Sequence, residues 1–340
     1  MKPNAKPSLP MPEIACVNPL LYESGINQLF VDNERTDHPE FFTRAYPSAV
    51  AEGGKSWIGT DSEGRVVMHT ARFSHPFLFG ERRVMGGLIV NIMVAKGYRT
   101  HHPARALFQR FVADSREDAE TDFLYTETTE RGANVLKAAG ASVIGRIARF
   151  VLPIQEAKPG LDLAMRAYYG MRGIGTRVRG MEATHHQAAT FCSEPFDMPP
   201  GASNRLRGIH DIKLYRRRIK DYPTSQDHWI TVDAAGHTAA ALVRGPESNG
   251  LATMLQLHQH PSQNVAGIVL AMVPVLRRET NCRRLQIYTV AESKFADELR
   301  RAGFIKRESQ PLVTLPISHL GEEVVENIKK WQITQLDLDS

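Results

Sequence analysis

The 340-residue chain is 42% apolar and 23% charged, the balance of a globular chain able to bury two cores. Its longest apolar run, Val265 to Leu276, is too short to span a bilayer and contains Pro274, so a transmembrane class is excluded and a buried helix expected. The formal charge of +5 is uneven: residues 166–220 hold eleven Lys or Arg against four acids, a basic belt that would attract phosphates or serve as a solvated linker. Cys16, Cys192 and Cys282 fit neither a disulfide framework nor a zinc pattern.

In chain order, the N-terminus has lysines and prolines but no apolar h-region, so a disordered lead (1–19) and a cytoplasmic protein are expected. Ser56–Thr60, a turn at Asp61–Gly64 and Arg65–Phe73 read as a hairpin, with Asp and Gly where the turn needs them. An apolar strand follows at Gly87–Ala95. Pro103 to Glu117 carries Ala104, Leu107, Phe108, Phe111 and Val112 at helical spacing. Next come a strand (Phe123–Thr126), a helix (Glu130–Ala139) with Gly140 as its C-cap, and two extended stretches, Ala141–Ile147 and Ala148–Ile154. Leu161–Tyr169 reads as a helix, and Gly170–Gly180 as a Gly/Arg-rich linker or phosphate-binding loop.

The pattern then returns. Trp57-Ile58-x-x-Asp61-x-x-Gly64 with Arg72 recurs as Trp229-Ile230-x-x-Asp233-x-x-Gly236 with Arg244. Residues 123–154 align without a gap on 286–317, through Tyr125/Tyr288, Leu136/Leu299, Gly140/Gly303 and the closing Leu-Pro-Ile. Strands are expected at His228–Val232, His237–Arg244, Leu251–Leu257, Leu285–Thr289, Phe304–Glu308 and Pro311–Ile317, with helices at about 264–279 and at Ser293–Ala302. A repeat unit of more than 100 residues is a duplicated domain. The expected organisation is a first domain at 20–155, a basic linker at 156–204, a second domain at 205–320 and a tail at 321–340.

At the third strand and the helix after it, the chain reads Val94-Ala-Lys-Gly-Tyr98-Arg99-Thr100-His101-His102-Pro103-Ala104-Arg105-Ala-Leu107. This stretch resembles the GNAT superfamily of acyl-CoA-dependent N-acyltransferases, whose Arg/Gln-x-x-Gly-x-Gly/Ala loop opens a helix. Arg99, Ala104 and Leu107 fall on that pattern, and Ala133-x-x-Leu136-x-x-Ala139-Gly140 resembles the family's closing helix. The resemblance implies an α/β (α+β) fold of two tandem GNAT-like domains, each a mixed, mostly antiparallel sheet flanked by helices. It also implies acyl-CoA, such as acetyl-CoA, as co-substrate without a metal, and the amine of a small molecule or amino sugar as acceptor.

A loop at a helix N-terminus offers free N–H groups and a positive dipole end to the coenzyme's pyrophosphate. The implied cofactor-binding residues are Met93, Val94, Arg99, Thr100, His101, His102, Ala104 and Arg105, with the N–H groups near Met93 and Val94 at the developing oxyanion. Two departures stand out. His102 and Pro103 replace small residues of the loop, and Leu136 and Leu299 stand where many members place an acidic tyrosine. Candidates for proton transfer are Glu127 as base, Asn91, Tyr125 and Glu130. The second copy, His258 to Asn264, keeps neither arginine nor glycine of the signature and reads as degenerate. The alternatives are a Fem-like transferase drawing on charged tRNA, which the basic belt favours, and a non-catalytic binding protein. Oligomeric state is left open.

Overall fold

The computed structural model describes residues 10–99, 101–155, 181–187, 205–209, 226–234, 236–260 and 263–338. The expected helix at 161–169, the Gly/Arg-rich loop and every lysine and arginine of the basic belt except Arg205 and Arg207 lie outside these residues.

The first half runs β1 (Glu13–Val17), α1 (Glu23–Val31), α2 (His38–Ala51), β2 (Lys55–Thr60), β3 (Val66–Phe79), β4 (Arg82–Val94), α3 (His101–Glu117), β5 (Phe123–Glu127), α4 (Glu130–Ala138) and β6 (Ser142–Pro153). The second contains β7 (Glu182–Gln187), β8 (Leu206–Gly208), β9 (Asp227–Ala234), β10 (His237–Arg244), β11 (Leu251–His258), α5 (Val265–Thr280), β12 (Arg284–Val290), α6 (Lys294–Ala302) and β13 (Ile305–Pro316). The chain continues through α7 (His319–Glu326), β14 (Trp331–Gln332) and a terminal turn of helix, α8 (Gln335–Leu338). The order from β2 to β6 recurs from β9 to β13.

Local chemistry accounts for the shared elements. Thr129 caps α4 by accepting from the Gly132 N–H, and Ser293 does the same for α6 through Ala296. Gly303 closes α6 in the left-handed region, with φ 103°. The repeated Trp and Arg are structural anchors. Arg72, fully buried, lies 5.8 Å over the Trp57 ring and reaches Ser115, Asp118 and Glu120, while the Trp57 indole donates to Asp114. In the second half Arg244 forms a forked pair with Asp227.

The fourteen strands among the described residues belong to one sheet, with a central order β1-β2-β3-β4-β5-β13-β6-β12-β11-β10-β9-β7. Pairing along this path is antiparallel except for β4 with β5 and β11 with β12, so the sheet is mixed and mostly antiparallel, with helices on its faces. The two sheets expected from the sequence are continuous because the closing strands are exchanged. Strand β13 lies against β5, and β6 lies against β12. Val313 and Leu315 of β13 therefore fill the core beneath α3 and α4, and Ala148, Phe150 and Leu152 of β6 fill the core beneath α5 and α6.

Several segments differ from expectation. Within the expected lead, Glu13–Val17 pairs with β2, its backbone satisfying an otherwise open sheet edge. Strand β7 lies in the expected linker and covers the opposite edge by pairing with β9. Residues 321–340, expected as a tail, include Trp331, which is fully buried and packs 5.6 Å from Phe123. The final repeat segments are single strands, β6 and β13, not pairs of stretches; two register irregularities in β13 accommodate its length and Pro311. No helix among the described residues is long and apolar enough to cross a membrane.

The exchange makes the first half dependent on β13. Residues 1–155 produced alone are expected to lack a cooperative urea transition, because β5 loses its partner and the α3/α4 core loses two buried side chains at about 1.5–3 kcal/mol each. A sharp two-state transition for that fragment, followed by circular dichroism, would contradict the interlocked arrangement.

Candidate active site at the β4/β5 notch

Strands β4 and β5 pair only from Gly86–Leu88 to Phe123–Tyr125 and then diverge, leaving a notch. Two glycines permit the close packing at its vertex. A Cβ on Gly86 would meet the Phe77 ring at 2.6 Å, and one on Gly87 would meet Leu124 at 2.7 Å. Beyond the vertex, Asn91 and Ile92 together oppose Thr70 in a β-bulge, with Asn91 in the left-handed region at φ 54°.

A closed polar ring occupies the bulge. The Asn91 side-chain amide donates to the Tyr46 hydroxyl at 3.0 Å, and Asn91's own carbonyl lies 3.0 Å from His69 Nδ1. A carbonyl only accepts, so Nδ1 carries the proton and Nε2 is an acceptor. Nε2 faces Tyr46 Oη and Ser56 Oγ, each at 3.4 Å. Burial pushes the His69 imidazole down to about 3 and the Tyr46 phenol up, so both are neutral at ordinary pH.

The remaining expected residues lie on the end of β4, the segment after it, α3, β5 and the start of α4. Met93 and Val94 end β4 just past the bulge, half-buried. Arg99 donates from Nε to the Val94 carbonyl at 3.1 Å and from its guanidinium to the Asn33 side chain. Thr100 lies outside the described residues. His101 begins α3; next to it, His102 and Arg105 are exposed, Ala104 is half-buried and Pro103 is buried. The His102 ring therefore does not fill the space between the strands.

Glu127 ends β5 opposite Leu312 of the exchanged strand, and burial alone raises its carboxyl to about 7. Tyr125 is a core residue. Its hydroxyl is fully enclosed, 3.0 Å from His75 Nδ1 and donating to the Asp337 carbonyl at 2.8 Å. Glu130 is taken up in an ion pair with Arg146 at 2.9 Å.

The same notch exists in the second half, where β11 and β12 pair from Leu251–Thr253 to Arg284–Gln286 and then part. Strand positions there give the equivalents: Ala241 for His69, Leu255 for Asn91, Leu257 for Met93 and Val290 for Glu127. His69, Asn91 and Glu127 thus have apolar counterparts, whereas Ser56 corresponds to His228 and Ile92 to the buried Gln256. The β11 edge is also covered by the C-terminal segment. Gln332 donates to the Leu257 carbonyl at 3.4 Å, and the Thr334 hydroxyl bonds the Gln256 side chain. The first turn of α5 is buried and capped by the side chain of Asn264.

No family model matches the sequence, and no curated protein matches it. Solved structures do. A GCN5-related N-acetyltransferase from Kribbella flavida superposes with a TM-score of 0.63 at 14% identity, over 91% of this chain and 73% of its own. Another from Anabaena variabilis ATCC 29413 gives 0.59 at 10% identity, over 91% and 74%. The chain has the GCN5-related N-acetyltransferase fold. A conserved protein of Enterococcus faecalis V583 extends the likeness, with a TM-score of 0.63 at 8% identity over 92% of this chain and 74% of its own. The GNAT fold thus covers both halves, and the notch and bulge are features of its sheet in this chain.

His69, Tyr46 and Ser56 had no motif to announce them. They come from three elements, and the available signal was the contrast between repeats, a histidine on β3 where the second copy has Ala241.

The raised Glu127 has a consequence for stability. Its folded value of about 7 lies above the model-compound value of 4.5, so the stabilisation it adds is complete below 4.5 and is lost as pH rises through 7. Against wild type, Glu127→Gln should therefore gain melting temperature progressively between pH 5 and pH 8. A difference that stays constant across that range would show that Glu127 titrates normally.

Proposed function

We propose that the chain transfers an acyl group from acyl-CoA to the amine of a small molecule, at a single site in the first half. The carrying observation is the contrast between the notches: Glu127, Asn91 and His69 on one, Val290, Leu255 and Ala241 on the other. The GNAT fold supports this class of chemistry by analogy, and the residues supply the argument for where it occurs.

The N-terminus of the 17-residue α3 is long enough to present a helix dipole, and exposed Arg105 with Arg99 adds positive charge for a pyrophosphate. His102 can contribute a side-chain contact there, while Pro103 offers no N–H. Backbone N–H groups at Met93 and Val94 border the notch, where a thioester carbonyl would develop negative charge. Glu127, ionised above about pH 7, accepts the proton of the incoming ammonium so that the free amine attacks. Leu136 cannot donate a proton to the departing thiolate, which leaves that proton to the amine or to water. A negatively charged carboxylate with no cation paired to it among the described residues favours a cationic acceptor, such as a small amine or amino sugar.

Three measurements test this reading. Acetyl-CoA or a longer acyl-CoA should raise the melting temperature and bind with a stoichiometry of one per chain by calorimetry. No binding of any thioester, or salt-sensitive binding of tRNA instead, would overturn it. Arg99→Ala should weaken that binding about tenfold, the loss of one charge-assisted contact; unchanged affinity removes Arg99 from the site. The transfer rate should climb as pH rises through about 7, following ionisation of Glu127, and Glu127→Gln should abolish the climb.

A further inference from the structure

We infer that His69 is a positioning residue that, with Tyr46, sets the peptide plane at the β4 bulge and so the direction of the Ile92–Val94 backbone bordering the notch. The role in turnover rests on the transferase reading; the positioning itself does not.

The molecule contains its own control. Strand β11 has a bulge at the equivalent place, opposite Leu242, and forms it with Leu255 outside the left-handed region and with Ala241 in the place of His69. A bulge in this fold therefore needs neither a histidine nor an asparagine at these strand positions. In the first half two polar side chains are nonetheless buried and a third half-buried to build one: Tyr46 and His69 are fully enclosed, and the half-buried Asn91 adopts a left-handed conformation uncommon for a non-glycine residue.

The carbonyl contact at Nδ1 fixes the tautomer, and the ring closes when Tyr46, in place of Ser56, donates to Nε2. The Asn91 amide donates to Tyr46, Tyr46 donates to His69 Nε2, and His69 Nδ1–H donates to the Asn91 carbonyl. A trans peptide holds its N–H antiparallel to its C=O, so grasping the Asn91 carbonyl also fixes where the Ile92 N–H points. Both ends of Asn91 are thus held, the backbone from β3 and the side chain from α2. The groups facing the His69 ring are Tyr46 and Phe30 from the helices and Ser56 and Asn91 from the strands, with no carboxylate among these contacts. The ring orients without shuttling protons.

The discriminating substitutions are His69→Ala, which removes the clamp; His69→Asn, whose amide can replace Nδ1–H; and Tyr46→Phe, which removes only the hydroxyl. Amide hydrogen exchange in the full chain is the first readout. In His69→Ala, exchange at residues 92–94 should accelerate at least tenfold while the equivalent residues 256–258 keep their wild-type rates, and His69→Asn should restore most of the protection. Thiol release from acetyl-CoA with a panel of primary amines is the second. The turnover number should fall about ten- to hundredfold in His69→Ala and several-fold in Tyr46→Phe, with acetyl-CoA affinity within twofold of wild type.

Unchanged exchange at 92–94 in a folded His69→Ala overturns the inference, as does a loss spread equally over both halves. If His69→Ala does not fold, unchanged exchange at 92–94 in Tyr46→Phe overturns it in the same way. A wild type that binds no acyl-CoA would count against the transferase reading alone, because the exchange experiment stands without turnover.

Discussion

The exchange of β6 and β13 is the contact on which both halves depend, because each core is completed by side chains that enter from the other repeat. Val313 and Leu315 lie among Phe108, Phe111 and Leu136, while Phe150 and Leu152 lie among residues of α5 and α6. Two sequence repeats could each close with their own last strand. Here they close with the other's, and the result is one sheet in place of two. The exchange also reaches the notch. The Glu127 backbone pairs with Leu312, so the strand beside the residue whose carboxyl is raised by burial comes from the second repeat.

Much of this architecture was legible in the sequence, for identifiable reasons. Strand and helix periodicities and the left-handed Gly140 and Gly303 are local, and local chemistry decides them. The exchange is not local. Strands β6 and β13 carry the same closing Leu-Pro-Ile and similar apolar alternation, so either would fit either sheet by pattern. Helices α1 and α2 and the buried Trp331 segment lie outside the repeated blocks, where no internal comparison could draw attention to them.

Within the site, Glu127 was legible because a carboxylate at a strand end beside a diverging pair is conspicuous in sequence. Its raised proton affinity was not, since that comes from burial in the folded chain, where its backbone neighbour Leu312 lies 185 residues later. Asn91 was singled out as a proton-transfer group, and the structure gives it a different setting: its side chain is held by Tyr46 and its carbonyl by His69. Tyr125 repeats as Tyr288, and its enclosed hydroxyl joins β5 to His75 and the C-terminal segment as part of the packing.

The second half has lost polar groups yet kept its frame, and the packing explains why both can be true. Replacing His69 and Asn91 by Ala241 and Leu255 removes buried polar atoms that otherwise require partners, so the apolar versions cost the fold little. Losing β13 would instead open the first core and expose the edge of β5, the strand that carries Glu127. The C-terminal segment adds a constraint in the same direction, since Gln332 and Thr334 engage β11 while the Asp337 carbonyl engages Tyr125. That segment therefore ties the filled notch to the strand of the open one. A repeat whose own notch is closed is in this way required to hold the other one in shape.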